Sequence, residues 1–471
     1  MQNESEKLSI REKIGYGFGD TASNLFFQTF ILFLPIFYTD VFGISAAAVG
    51  TVFLVSRIWD AVNDPMMGVI ADRTNTRWGK FRPYLLWFAI PFGVTGVMMF
   101  TTPDISPTGK LIYAYVTYIL MMMLYTAINV PYSALMGVIS PNSLERTIVS
   151  SFRFVCAFVG GIIVSTSLLT LVKKFGAGNE ALGWQLAMSV LSALAVILFL
   201  ITFATTKERV QPPKGQKTPV KRDLIDLFTN TPWLLLGFMT IFQLTYICIR
   251  AGSIAYYFKY FVQDQQVMLF GKTYNFSSDG MISVFITAGY VVTLIGAIMT
   301  KWFSRAFGKS RSYYGFLAIA AISTALFYFL GPKDVILMFV LQFFTAFAMG
   351  PVSVIQWAMY ADAADYSEWK RGRRATALVM SASLFALKLG VAFGGTILAW
   401  VLATYNYQPN QPQTAEALKG IRLVMSVYPA IFAIMGVVVM LFYPLTNKRM
   451  VEIEAELTER RKQVEPDTSI E

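Results

Sequence analysis

Among its 471 residues the chain has no histidine and only two cysteines. Without histidine, the usual proton shuttle and the commonest metal ligand are missing. Cys156 and Cys248 both fall inside apolar stretches, so a disulfide framework is not the design. Charge is scarce too: Asp, Glu, Lys and Arg make up 14% of the chain, against 55% hydrophobic and 15% aromatic residues. With a mean hydropathy of +0.53, this composition excludes a soluble protein and describes an integral membrane one. The formal charge of +11 does not indicate nucleic acid, because the bases come in short runs at regular intervals, as cytoplasmic loops do.

Nucleotide and catalytic motifs are missing as well. Gly308-Lys309-Ser310 and Gly271-Lys272-Thr273 end like phosphate-binding loops, but Phe303 and Gln266 stand where the earlier glycine belongs. That argues against an ATP-driven pump. Gly15, Gly17 and Gly19 do not fit the dinucleotide spacing and are expected to permit close helix packing or bending. No Cys-rich cluster and no Ser–base pair at a recognisable spacing points to an enzyme, and no cofactor is implied. The Asn275-Phe-Ser277 sequon is short enough to occur by chance.

What is present is a succession of long apolar runs, about twelve at the usual span length. Two are interrupted by charge: Val41 to Ala71, which holds Arg57, Asp60 and Asp64, and Ala375 to Thr404, which holds Lys388. The basic runs around Arg73 to Arg82, Lys207 to Arg222, Lys301 to Arg311, Lys370 to Arg374 and Lys448 to Lys462 all fall on one side if the connections alternate. Lys and Arg stay cytoplasmic, so both termini are expected inside. The charged N-terminus shows no cleavable signal pattern.

The most basic linker contains Pro212, Pro213 and Pro219. It divides the chain into an N-terminal six-helix bundle over 1–206, a cytoplasmic linker over 207–226, a C-terminal six-helix bundle over 227–447 and a cytoplasmic tail over 448–471. An internal echo supports two pseudo-symmetric halves: Arg77-Trp-Gly-Lys-Phe-Arg-Pro-Tyr84 is answered by Arg305-Ala-Phe-Gly-Lys-Ser-Arg-Ser-Tyr-Tyr314. An all-α membrane protein of this plan has the major facilitator architecture of secondary transporters.

The most informative stretch is Arg57-Ile-Trp-Asp-Ala-Val-Asn-Asp-Pro65. A charge at membrane depth costs about 2.5 to 3.5 kcal/mol on insertion scales, so such residues are functional candidates. On a helix Asp60 and Asp64 lie one turn apart on one face, with Arg57 about a turn before Asp60. The pair could hold a small cation or a proton. A purely structural ion cluster with Arg57 is the competing explanation.

Several motifs together resemble one family. Tyr16-Gly-Phe-Gly-Asp20, Phe37-Tyr-Thr-Asp40, Arg57 to Pro65, Arg77-Trp-Gly-Lys-Phe-Arg-Pro83, Tyr125-Thr126 with Pro131-Tyr132, Asp362-Ala-Ala-Asp-Tyr-Ser-Glu-Trp369 and Leu387-Lys-Leu-Gly390 look like the glycoside-pentoside-hexuronide:cation symporters. The resemblance runs from about Lys13 to the tail. It implies a symporter that imports a glycoside with Na⁺, Li⁺ or H⁺ by alternating access, in a bacterial inner membrane and as a functional monomer. A lysolipid or other amphiphile transporter of related fold is the alternative.

By the same resemblance, Asp60, Asn63, Asp64 and Thr126 form the cation site, which suits Na⁺ as a hard ion that takes oxygen ligands. Lys388 faces the aspartates as a charge partner, and Arg153 matches an arginine near the sugar. Melibiose permease, a member of that family, has carboxylates where this chain has Asn24 and Asn129, and tryptophans where it has Ser133 and Ser353. Two negative charges are lost while Arg153 and Lys388 stay and Arg250 is added, which is expected to favour an anionic glycoside such as a hexuronide, with pentosides as the alternative. Phe27, Tyr125, Tyr132 and Trp357 are candidate stacking surfaces, and Gln356 is a candidate reader of hydroxyls. Arg57, with Asp362, Asp365, Glu368, Arg373 and Arg374, is assigned to gating; solvated loop charges are the alternative for the latter group.

Overall fold

The computed structural model describes residues 7–140, 143–209, 229–269, 272–371 and 376–464. Ser9, whose side chain accepts from the Glu12 amide at 3.2 Å, starts helix α1 (Ile10–Leu32). The chain breaks at Phe33 and runs on through Pro35 to Phe42, bent by 57° from α1. Proline supplies no amide donor, so the hydrogen-bond ladder is interrupted there. Gly43 then adopts a left-handed φ of +83° and ends the element. Ser45 caps α2 (Ala46–Arg73). The apolar run expected to start at Val41 is thus shared: Val41 and Phe42 close the first span, because a left-handed glycine and a serine cap separate them from the second.

The first half continues with α3 (Arg82–Met99), α4 (Pro107–Val138), α5 (Ser143–Gly176) and α6 (Glu180–Thr205). The second half contains α7 (Thr231–Tyr256), prolonged by a wider turn to Val262, then α8 (Ser278–Phe307), α9 (Lys309–Leu326), α10 (Val335–Arg371), α11 (Thr376–Thr404) and α12 (Ala415–Leu441). Between α7 and α8 lies an antiparallel hairpin, β1 (Gln265–Leu269) and β2 (Lys272–Phe276), which the apolar pattern did not reveal. Lys272 therefore opens a strand, which is not a phosphate loop. An amphipathic α13 (Asn447–Val464) follows.

Among the described residues nine helices are long and apolar enough to cross a membrane, ten with the bent first span. Of α1 to α12, the two that fall short are α2, which carries Arg57, Asp60 and Asp64, and α3, which begins on Arg82.

The chain forms two compact units. Unit 1 comprises Met1–Gly215, Ala251–Thr287 and Gly395–Ile421, so the ends of α7 and α11, the hairpin and the starts of α8 and α12 join α1 to α6. Unit 2 comprises Gln216–Arg250, Ala288–Gly394 and Arg422–Glu471. An aromatic cluster fills one end of unit 1: Phe37 lies 4.7 Å from Phe100 and 5.5 Å from Trp184, and Phe100 stacks on Trp184 at 5.8 Å. Unit 2 packs Trp233, Leu236, Tyr313, Leu317, Ile355 and Tyr360 around α7, α9 and α10. Gly15, Gly17 and Gly19 face Thr205, Cys156 and Tyr132 at distances a Cβ could not share, so these glycines let α6, α5 and α4 press on α1.

The echoed motif has a structural counterpart. Gly79 and Gly308, each followed by lysine, both take positive φ, +109° and +85°, at the turns into α3 and α9. At the first turn, Glu208 accepts the backbone amides of Lys80, Phe81 and Arg82 at 2.9, 2.8 and 3.0 Å. It thereby satisfies donors that the start of α3 would otherwise leave open. A Cβ on Gly79 would stand 2.4 Å from that carboxylate. Glu208→Ala is expected to cost about 1–2 kcal/mol, as loss of a helix cap does, and to lower the thermal midpoint of the detergent-solubilised protein. At the same end Arg209 grips Glu12 through two contacts, 2.7 and 2.8 Å. Lys13, 2.8 Å away, holds the Glu145 carboxyl below the usual carboxylate range.

Candidate cation and substrate site

Helical spacing on α2 sets Asp60 and Asp64 one turn apart, and Asp60 is only 3% exposed. From α4, buried Thr126 donates its hydroxyl to Asp64 Oδ1 at 2.8 Å, joining residues 62 positions apart. Asn63 Nδ2 is buried and has no acceptor among the described residues. Turned over, the amide would present its carbonyl oxygen there. Two carboxylates, an amide and a hydroxyl on two adjoining helices form an oxygen-rich set suited to an alkali cation or a shared proton. The Arg57 side chain lies outside the described residues.

A second polar group in unit 1 runs along α1. Asp20 and Asn24 stand one turn apart, and Asn24 Nδ2 donates to the Asp20 carbonyl at 2.9 Å. Gln28 follows a turn later, 3.4 Å from Asn24 Oδ1. Half-buried Phe27 is on the same helix. Ser23 donates to Asn129 Oδ1 at 2.9 Å, and Asn129 Nδ2 donates to the Tyr125 carbonyl at 3.0 Å.

Arg153 on α5 reaches Asp20 through Nε at 2.5 Å and Nη2 at 3.1 Å. The cationic surplus expected from the sequence is therefore reduced, since Arg153 is matched by a carboxylate. Tyr132 is fully buried and stacked on Tyr16 at 4.7 Å. Its hydroxyl lies 2.7 Å from both Asp20 Oδ2 and the Tyr16 carbonyl, and its one hydrogen goes to either. Instead of an open stacking surface, Tyr132 is a packing residue that fixes Asp20.

In unit 2, Gln356 is buried and spends its amide hydrogens on Thr240 Oγ1 (3.0 Å) and the Tyr360 hydroxyl (2.9 Å). Its neighbour Trp357 is exposed and meets Tyr360 edge to face at 5.7 Å. Lys388 is half-buried on α11. Arg250, 5% exposed, joins α7 to α9 and α10 by donating to Thr324 (3.1 Å) and Gln342 (2.9 Å), with its guanidinium over the Phe327 ring.

Of the residues assigned to gating, Asp362 receives Lys309 Nζ on both oxygens at 2.8 Å, tying α9 to α10. Asp365 and Glu368 continue on α10. Arg373 and Arg374 lie outside the described residues.

Two further carboxylates take their place only in the packed chain. Asp20 closes the Tyr16 to Asp20 motif and lies four residues from both Tyr16 and Asn24, one helical turn either way. Asp40, with its side chain sealed from solvent, receives Lys259 Nζ at 2.7 Å, the hydroxyls of Tyr260 and Tyr407, and Thr39 Oγ1 at 2.8 Å. Asn410 donates to its carbonyl.

Long apolar helices around buried carboxylates define this molecule as a membrane transporter of major facilitator architecture. The fold is shared, at a TM-score of 0.65 and 12% identity, with a bacterial homologue of the human drug peptide transporters PepT1 and PepT2, over 95% of this chain and 99% of that one. The chain belongs to the MFS/sugar transport protein family, whose model matches residues 15–447. It is 37% identical over 461 residues to the inner membrane symporter YicJ of Escherichia coli (strain K12), covering 98% of this chain and 97% of that one. To the isoprimeverose transporter of Lactiplantibacillus pentosus it is 35% identical, covering 94% and 91%. It is a sugar symporter and a multi-pass membrane protein, not an enzyme.

Proposed function

We propose that the chain imports a glycoside by alternating access, coupled to Na⁺ or H⁺ at Asp60, Asn63, Asp64 and Thr126. The contact between Thr126 and Asp64 carries this reading: it brings a hydroxyl from α4 onto the carboxylate pair of α2. Relatives named as a symporter and as a transporter of isoprimeverose, a sugar, support the substrate class. Asn24, Asn129 and the Asp20–Arg153 pair are the sugar-recognising groups of unit 1, and Trp357 and Lys388 are those of unit 2. The cation lowers the charge of the aspartate pair and favours a state of high sugar affinity; by linkage the sugar tightens cation binding equally. The chain works as a monomer in an inner membrane with both termini cytoplasmic; the distribution of its basic loops supports that orientation.

Gradient-driven uptake of labelled glycosides into proteoliposomes, with Na⁺, Li⁺ and H⁺ gradients applied in turn, tests this. Accumulation against a sugar gradient under at least one ion is expected. Downhill equilibration that ignores all three would overturn it. Thr126→Val, which removes one ligand and keeps the side-chain shape, is expected to raise the half-saturating cation concentration about tenfold, as loss of a single metal-site contact does. Maximal uptake at high ion concentration should be largely retained.

A further inference from the structure

We propose that Asp20 sets the charge specificity of the sugar-recognising groups of unit 1: by holding Arg153 it cancels the one cationic charge among them and selects uncharged glycosides over hexuronides. This rests on the reading of Asn24, Asn129 and Arg153 as sugar-recognising groups. From those three residues alone the site would be cationic, and an acidic sugar would be the natural ligand.

The structure adds the compensating charge. Both carboxylate oxygens of Asp20 are engaged, by Arg153 Nε at 2.5 Å and Nη2 at 3.1 Å. The guanidinium lies 4.9 Å from the Tyr132 ring centre and 5.6 Å from that of Tyr16, so aromatic rings also hold it. The Tyr132 hydroxyl at 2.7 Å steadies the carboxylate. A two-point pair braced in this way is not easily surrendered to a ligand.

Nor is the pair sealed off. The side chains of Asp20 and Arg153 keep 15% and 24% of their surface exposed. Asp20 begins a column that continues through Asn24 and Gln28, each one turn further along α1. Every member past Asp20 is a neutral amide able both to donate and to accept. Sugar hydroxyls can donate to the open lone pairs of Asp20 and bond the amides at no cost in charge. A hexuronate carboxylate must either displace Asp20 from Arg153 or lie beside a like charge, and both are penalised.

The experiment compares initial rates of proteoliposome uptake of a 4-nitrophenyl β-xyloside and 4-nitrophenyl β-glucuronide by wild type, Asp20→Glu and Asp20→Asn. Wild type is expected to prefer the xyloside, and Asp20→Asn to shift the ratio toward the glucuronide by about tenfold or more, since one like-charge contact is removed and Arg153 is freed. Asp20→Glu should keep the wild-type preference. Should Asp20→Asn not fold, the double variant Asp20→Asn/Arg153→Gln, neutral again, is expected to disfavour the glucuronide as wild type does. A wild type that prefers the glucuronide, or an Asp20→Asn variant slowed equally on both substrates, would overturn the role of Asp20 and leave the symporter reading intact. Uptake of neither compound, nor of any other glycoside, by wild type would instead overturn the glycoside reading, and this inference with it.

Discussion

Asp60→Asn and Asp64→Asn are each expected to lower cation-coupled uptake about a hundredfold or more, because each removes a full charge from the group that holds the ion. Asparagine is close to isosteric, and at position 64 its Oδ1 can still accept from Thr126, so the contact between α2 and α4 survives while the charge does not. The accompanying stability change decides between a transport site and a structural ion cluster. A carboxylate that is 3% exposed in a membrane helix carries a desolvation cost. Asp60→Asn is therefore expected to leave the thermal midpoint unchanged or raise it while uptake is lost. If Asp60 existed to neutralise Arg57, its removal would leave that charge uncompensated and lower the midpoint, and uptake would fall only in step with the folded fraction. Paired measurements of uptake and thermal unfolding separate the two; full coupled uptake by both variants would sink the cation site.

Asp40→Ala should give the largest loss of stability. One buried carboxylate receives an ammonium, two phenols and a threonine hydroxyl from three stretches of chain. Removing it leaves those donors unmatched in a closed environment. Breaking a buried pair costs about 3–5 kcal/mol, and with Lys259 30% exposed the lower end of that range applies. Asp40→Asn, which keeps an acceptor, should lose less. Once Asp40 is gone, Lys259→Met should cost little more, because the two act through one contact. A thermal-unfolding cycle over the two single variants and the double variant checks this; strict additivity would show that Lys259 and Asp40 stabilise independently.

These two aspartate sites differ in how far the sequence revealed them. Asp60 and Asp64 were legible because two independent local signals coincide: charge where composition forbids it, and a spacing of four that places both on one helix face. The partner Thr126 came only through family resemblance, and the structure then brought it to Asp64. Asp40 carried no local signal. It sits at the edge of an apolar run, where a charge reads as the end of a span, and its partners lie 219 and 367 positions away. Gln356 and Tyr132 show the reverse. Each has the right chemistry to touch a sugar, but a sequence does not say whether a polar group is already spent. Here two amide hydrogens go to Thr240 and Tyr360, and one ring is covered by Tyr16.

The sequence by itself determined the solvent this protein lives in, its all-helical membrane class and the carboxylate pair on α2, since each follows from short-range chemistry: the cost of charge in lipid, the length of an apolar run, the pitch of a helix. Only the tertiary structure decided which charges cancel. Arg153 meets Asp20 across 133 positions, and Lys259 meets Asp40 across 219. Such pairings depend on which helix faces come together, and that is a property of the packed chain rather than of any stretch of it. The sign of charge left for a substrate to meet depends on those pairings.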